Sequence, residues 1–477
     1  MLFDATSEKL RKLDLQKNID IDAAQLDLFN EGVANAIPGV AIKETISYER
    51  IKPKKDGHGR RVLPNDIRRN EIVIDVPDSE KTCGCGCAKK RIGEETSEEL
   101  DFIPAHLIVN KTIRPKYACP NCPEKGVATA LPPSKIIPKS LGTPALYAHI
   151  LVCKFRWHLP LYRLQKMFEF YGVPINRSVM CEWEKQLLSY LELVYDDLKK
   201  QLLGSHYVQA DETTISVLDK TKQGKVHKGY LWPYTNGDCI VFEYQSGRSH
   251  AGPLAFLKGF KGYLQSDGYA AYETVAKACS DDITHFVCWA HARRELFEVV
   301  KHDPDYIKPI LELIGRLYVL ERRIRYFKLP VERIADLRSK IAIRYLEAIK
   351  NRLDTCAPSH TPKNLVRKAV NYLLNRWEKL NVYVNDGTLQ IDNNRIENAI
   401  RPVALGRKNW LFAGSEDGAK KIAVVYSIIN TCVMNNIDPE MYLKDLFSRI
   451  HDHPANRIAE LTPAEWKKAI EKEDAKE

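Results

Sequence analysis

The sequence predicts a multidomain α/β protein, and three observations carry the prediction. Its 477 residues exceed one ordinary domain, so roughly three or four compact units are expected. Between residues 206 and 294 short alternating segments interleave with helix-like pieces, whereas the flanking stretches carry helical periodicity. Ahead of them, cysteines cluster at 83–87 and again at 119–122 around a β-rich segment. Hydrophobic residues at 44% and charged residues at 28% are those of a soluble chain with a sizeable core. No apolar run reaches bilayer length, and the opening "MLFDATSEKLRKLD" lacks a signal-peptide core and cleavage site. A cytoplasmic protein with no membrane partner is therefore expected. The net charge of +10, from 72 Lys and Arg against 62 Asp and Glu, favours a polyanionic partner without demanding one.

Residues 1–75 mix amphipathic pieces with "RIKPKKDGHGRRVLPNDIRRN", which reads either as a basic arm against DNA or as a solvated loop. Residues 76–130 hold the cysteine clusters. In a cytosolic chain, twelve cysteines are not expected to form a disulfide framework, and two clusters flanking a small hairpin are what a structural zinc ribbon needs, since four thiolates must converge tetrahedrally on one Zn²⁺. Cys119-x-x-Cys122 has the usual spacing; Cys83, Cys85 and Cys87 alternate and offer three candidates for two places. Cys83 and Cys85 are taken with Cys119 and Cys122, and Cys87 stays the alternative. Residues 131–205 are helical in period. Within them "LYRLQKMFEFYG" and "RSVMCEWEKQLLSYL" are joined by "VPIN", with Gly172 placed to end the first helix. This spacing suits a DNA-binding helix-turn-helix, and equally two packed helices that never meet nucleic acid.

In residues 206–294, "HYVQADETTISVLD" alternates as a strand, with Tyr207, Gln209 and Asp211 on one face. Two further strands meet at the turn Asn236-Gly237. A helix, a strand ending at Asp267-Gly268, another helix and the strand "DITHFVCWAH" follow. Three strands, helix, strand, helix, strand is the order of a ribonuclease-H-like (retroviral-integrase-like) sheet, in which the first and fourth strands are neighbours. That pairing would bring Asp211 beside Asp267, and two carboxylates so placed repel unless a cation lies between them. Magnesium, or manganese in its place, suits oxygen ligands completed by substrate phosphate.

Residues 295–385 are helical in pattern and read as an insertion into the catalytic fold, which resumes at 386–425 before a C-terminal helical domain at 426–477. The resumption opens on "QIDNNRIENAIRP". Asn394 followed by Glu397 fits a capping box, in which the Asn caps an amide and the Glu reaches back. Alternatively Glu397 is a third carboxylate delivered to the sheet, completing a site for two metal ions about 4 Å apart. Pro402 is expected to stop or kink its helix. Arg401, Arg407, Lys408 and Asn409 are candidate phosphate contacts, and Trp410 reads as core. His285, Cys288 and His291 stand at metal-like intervals but lack a fourth partner and read as structural, with His291 and Arg294 alternatively near DNA. Cys153, Cys181, Cys239, Cys279, Cys356 and Cys432 are expected in the core.

Together "QADETTISVLD", "LQSDGYAAYE", "CWAHARRELFE", "IDNNRIENAIRPVALGRKNWLFAGSEDGAKKIA" and "RIGEETSEELDFIPAHLIVNKTIRPKYAC" resemble the large-subunit (TnpC-type) transposases of the insertion-sequence-66 family, which are bacterial DDE transposases. The resemblance covers nearly the whole chain. It implies that Asp211, Asp267 and Glu397 are the catalytic triad, that the cysteine segment is a zinc-binding domain, and that the last fifty or so residues are a C-terminal domain. It further implies double-stranded DNA partners (element terminal repeats and target), a homo-oligomer on DNA, small accessory transposition proteins and a nucleoid location. A structure-specific nuclease on the same scaffold and a catalytically silent zinc-containing regulator remain the alternatives.

Overall fold

The computed structural model describes residues 107–118, 127–131, 133–219, 225–355 and 364–474, all within the second of the two units into which the chain divides, Ala105–Glu477. The basic stretch of 1–75, all five clustered cysteines and Cys356 lie outside the described residues. Strands β1 (Lys116–Ala118) and β2 (Val127–Thr129) pair antiparallel, Lys116 opposite Thr129.

Three helices follow: α1 (Pro144–Phe155), α2 (Leu161–Phe170) and α3 (Arg177–Leu203). Thr143 caps α1 by accepting from the Leu146 amide. Past α2 the chain turns at Gly172, whose φ of 81° suits a residue without Cβ. Asn176 then opens α3, which buries Met180, Trp183, Leu187, Leu191, Val194, Leu198 and Leu202 along one stripe.

The central sheet contains β3 (Tyr207–Ala210), β4 (Thr213–Asp219), β5 (Lys225–Thr235), β6 (Ile240–Gln245), β7 (Gly262–Ser266) and β8 (Ile283–Val287). The expected first strand is thus broken at Asp211 and Glu212 into β3 and β4, and both halves pair antiparallel with the long β5. β6 pairs with β5 by the Asn236-Gly237 hairpin, where Gly237 has φ 101°. β3 lies parallel to β7, and β7 parallel to β8. The first and fourth expected strands are therefore adjacent. Helix α4 (Ala251–Phe256) precedes β7 and α5 (Ala270–Ala278) links β7 to β8, the helical crossover that a parallel pair requires.

α6 (Trp289–Val299) leads into α7 (Pro304–Tyr326), α8 (Val331–Leu337), a π-helical turn Arg338–Ala342, α9 (Ile343–Asp354), α10 (Leu365–Leu374) and α11 (Trp377–Asn381). These helices build a hydrophobic core of their own, to which the sheet contributes Tyr207, Phe286 and Val287. At its centre Arg338, 1% exposed, holds both oxygens of Glu321 at 2.8 Å and the carbonyls of Tyr383, Asp386 and Leu389 at 2.8–2.9 Å. A charge buried so completely persists only when its donors are satisfied.

The chain returns through α12 (Asn394–Trp410), α13 (Glu416–Met434), α14 (Pro439–Arg449) and α15 (Pro463–Asp474). α12 does not stop at Pro402 but runs through it. A proline inside a helix costs about 3 kcal/mol, and burial of Ile396, Ala399, Val403 and Gly406 on one face offsets that cost. α13 crosses residue 425 unbroken and covers the outer strand: Ser427 Oγ accepts from the Phe242 amide at 2.8 Å and Thr431 Oγ1 from the Ile240 amide at 3.1 Å. These hydroxyls protect an otherwise open sheet edge. Among the described residues no helix is long and apolar enough to cross a membrane. Cys153, Cys239, Cys288 and Cys432 are buried as core residues and Cys279 is half-buried, but Cys181 is exposed, because it falls on the solvent side of α3.

Candidate active site

Asp211 and Asp267 are each the first residue beyond a strand, after Ala210 of β3 and Ser266 of β7. Because Gln209 pairs with Gln265 in parallel register, the two aspartates leave the sheet at the same height, at the carboxyl ends of adjacent strands, where open α/β sheets place their sites. The turn after Asp267 is tight. Gly268 has φ 92°, its amide donates to Ser266 Oγ at 3.1 Å, and the Tyr269 amide donates to Asp267 Oδ1 at 2.8 Å. Helix α10 reaches the same point through Tyr372, whose hydroxyl donates to the Asp267 carbonyl at 3.3 Å.

Glu397 comes from the first turn of α12. It is not spent on a capping box: Asn393 is the N-cap without a side-chain cap bond, and Asp392 instead accepts from the Asn394 amide at 3.2 Å. Glu397 Oε1 is buried without a hydrogen bond, and His291 Nε2 stands 3.7 Å away, at ion-pair distance when the ring is protonated. Asn393, four residues earlier on the same helical face, is fully buried with neither amide atom bonded.

Asp211 feels the other two carboxylates. Burial first, and then the charges of Asp267, Glu212 and Glu397, push the Asp211 carboxyl up to about 8, against the pull of the Glu212 amide that donates to it. Glu212 was not singled out in the sequence, where strict alternation puts it on the opposite face from Asp211. The break between β3 and β4 removes that alternation. Its carboxyl is raised by burial, partly offset by Arg248, which bonds to Oε1 and lies 4.0 Å over the Tyr269 ring, and it also feels Asp267. Its second oxygen is buried and unpartnered. Among the described residues no three His, Cys, Asp or Glu side chains already stand close enough to hold a metal. The carboxylates are neighbours, not a closed cage. A divalent cation nonetheless fits the donor set, since carboxylate oxygens without hydrogen bonds and a carboxyl raised by burial and then by neighbouring charges are what such a charge relieves.

The remaining sequence candidates separate by position. His285 is buried, its Nε2 lies 2.9 Å from Ser266 Oγ, and burial lowers its ring to about 4. Cys288 accepts from the Asn393 amide at 3.4 Å. Arg401 and Lys408 are exposed. Arg407 turns inward, donating to Thr213 Oγ1, Thr214 O and Thr214 Oγ1 at 2.7–3.1 Å, so it ties α12 to β4. Asn409 donates to the Leu405 carbonyl one turn back. Trp410 is half-buried against the core.

Comparison with known proteins agrees across the chain. The model described as the transposase IS66 family matches residues 139–421, that of the zinc-finger binding domain of transposase IS66 matches 80–123, and that of the IS66 C-terminal element matches 427–464. The chain is 35% identical to the uncharacterized protein y4jD of Sinorhizobium fredii (strain NBRC 101917 / NGR234) over 428 residues, covering 85% of this chain and 81% of the relative. It is 31% identical to the uncharacterized protein y4hP of the same strain over 490 residues, covering 98% and 86%. With a family match across more than half its length and such relatives along most of both chains, this chain belongs to the IS66 family of transposases.

Proposed function

We propose that this transposase cuts DNA at the ends of its element and joins them to target DNA, at a site formed by Asp211, Asp267 and Glu397 on a ribonuclease-H-like core. The observation that carries the reading is the convergence of Asp211 and Asp267 at one register step beside a helix that presents Glu397, one of whose oxygens makes no hydrogen bond. Strand order supports the fold assignment: an antiparallel β6-β5 unit, the broken β3/β4 strand, then parallel β7 and β8. Mg²⁺ or Mn²⁺ held by these carboxylates would activate the attacking oxygen and neutralise the departing one.

Each protein group then has a stated task. Asp211, which feels the charges of both other carboxylates, would hold the cation together with Asp267 and Glu397, and its burial favours the protonated form. Water attacks phosphorus in line and the bond to the 3′ oxygen breaks; the freed 3′ hydroxyl then attacks a target phosphodiester in line, displacing the target strand's own 3′ oxygen as a hydroxyl, with no covalent enzyme intermediate. Arg401 and Lys408 are placed to meet phosphates, whereas Arg407 and Asn409 act by holding α12. Cys83, Cys85, Cys119 and Cys122 are the proposed Zn²⁺ ligands, Cys87 the alternative; the antiparallel pairing of β1 and β2 supports a ribbon. A second copy of the chain and small accessory proteins on the nucleoid complete the proposed assembly.

The test is a cleavage and strand-transfer assay on the DNA flanking the gene. Wild type cuts and joins in Mg²⁺, while Asp211→Asn and Glu397→Gln bind the ends and do neither. Cutting without joining would favour the nuclease, and cutting by either variant at the wild-type rate would remove the assigned roles.

A further inference from the structure

We propose that Gln209 and Gln265 are positioning residues for the third carboxylate, fixing the strap of residues 383–393 that delivers Glu397. The proposal rests on the reading of Asp211, Asp267 and Glu397 as the catalytic set. Adjacent parallel strands inside a sheet are normally lined with apolar side chains, yet β3 and β7 place two glutamines opposite each other, 1% and 0% exposed. Each lies two residues before a catalytic aspartate. A buried amide is tolerated only when bonded, and the partners here are specific. Gln265 Nε2 donates to the Gln390 carbonyl at 2.9 Å, and Gln209 Nε2 donates to the Asp392 carbonyl at 2.9 Å. The amides also meet each other: Gln209 Nε2 lies 2.8 Å from both Gln265 Oε1 and the Tyr207 hydroxyl, which share its second hydrogen, the Tyr207 hydroxyl donates to Gln265, and Gln209 Oε1 is buried without a partner.

The strap is gripped along its length. Arg338 holds the carbonyls of residues 383, 386 and 389, the glutamines hold those of 390 and 392, and the Trp289 amide holds that of 391 at 3.1 Å. It ends at Asn393, the N-cap of α12, and Glu397 lies one turn on. Apolar packing alone would let such a segment slide; hydrogen bonds to individual carbonyls set its register. Through a rigid first turn, that register sets where the Glu397 carboxylate stands relative to Asp211 and Asp267. A magnesium site demands near-octahedral geometry, and misplacement by about 1 Å costs on the order of a hundredfold in rate.

The test uses the full-length, zinc-loaded protein and Gln265→Met, which keeps the volume and removes the donor. Mn²⁺ affinity is measured by electron paramagnetic resonance, beside the Mg²⁺ dependence of end cleavage, end-DNA binding and thermal unfolding. The expected result is that Gln265→Met and Gln209→Met each weaken Mn²⁺ binding and raise the half-saturating Mg²⁺ about tenfold, in line with an unsatisfied buried carbonyl, with DNA binding retained. If Gln265→Met does not accumulate folded, Gln265→Asn, which still donates but one methylene short, shifts Mn²⁺ affinity in the same direction. Lower thermal stability with unchanged Mn²⁺ affinity overturns the proposal. Asp211→Asn separates the two readings: if it keeps both Mn²⁺ binding and cleavage, the site assignment itself fails; if it loses them while the glutamine variants keep them, only the positioning role fails.

Discussion

Removing the charge of Asp211 is expected to stabilise the magnesium-free protein while destroying its activity. The carboxyl lies at about 8 because it is buried among Asp267, Glu212 and Glu397, against an ordinary 3.8. The folded state therefore keeps a proton that the unfolded chain has released. This costs nothing below about pH 4, grows as pH rises, and is complete above about pH 8. Each pH unit is worth about 1.4 kcal/mol, so the whole window sets an upper bound of roughly 5–6 kcal/mol. Relaxation of the neighbouring carboxylates brings the expected gain to roughly 2–4 kcal/mol. Asparagine keeps the oxygen that accepts from the Glu212 amide, so Asp211→Asn removes the charge alone. In a unit this large, each kcal/mol moves the midpoint by about 2 °C, giving a rise of roughly 4–8 °C at pH 8 that fades toward pH 4.5. The assay is thermal unfolding at fixed scan rate in magnesium-free buffer without chelator, so that zinc stays bound. Saturating Mg²⁺ should raise the wild-type midpoint and leave the variant's unchanged. An Asp211→Asn protein that unfolds at or below the wild-type temperature at pH 8 would refute this electrostatic reasoning.

Other perturbations separate structure from chemistry. Arg338→Met leaves Glu321 charged and buried, and is expected to cost about 3–5 kcal/mol, read by denaturant unfolding. Arg407→Met should lower stability through its lost bonds to Thr213 and Thr214, whereas neutralising exposed Arg401 or Lys408 should lower the salt dependence of end binding by about one ion each. His149, hydrogen-bonded to Cys153 and to Glu440, is raised to about 10. Its stabilisation is full below the unfolded value of 6.5 and is lost as pH rises through about 10, and a pH series on His149→Gln should lack that decline. Removing zinc should weaken binding to element ends before it slows cutting of pre-bound DNA, as a mobility-shift and cleavage series would show.

Much of the strand arrangement around the candidate site could be read from residues alone, because its signals are local. Alternation around Val208 and Ala210 marks a strand, Asn236-Gly237 marks a hairpin, and Asp267-Gly268 marks a strand end; their order then implies which strands pair. What stayed hidden depends on contacts between distant segments. Pro402 argues for a helix end, but the buried face of α12 outweighs the proline's cost. Glu212 joins the carboxylates only because the strand breaks beside it. Gln209 and Gln265 look like ordinary polar strand residues until the carbonyls of 390 and 392 are seen above them. Cys181 reads as core from its type, yet its place on the solvent side of α3 exposes it.

The most direct measurement of the central claim is metal rescue. With Asp211, Asp267 and Glu397 replaced one at a time by cysteine, end cleavage is assayed in Mg²⁺ and then in Mn²⁺, which accepts a thiolate ligand more readily. The account predicts inactive proteins in Mg²⁺ and recovered cutting in Mn²⁺ for at least the position that contacts the ion most directly, Asp211. Full activity of Glu397→Cys in Mg²⁺, or no recovery at any of the three positions in proteins that still fold and bind DNA, would contradict it.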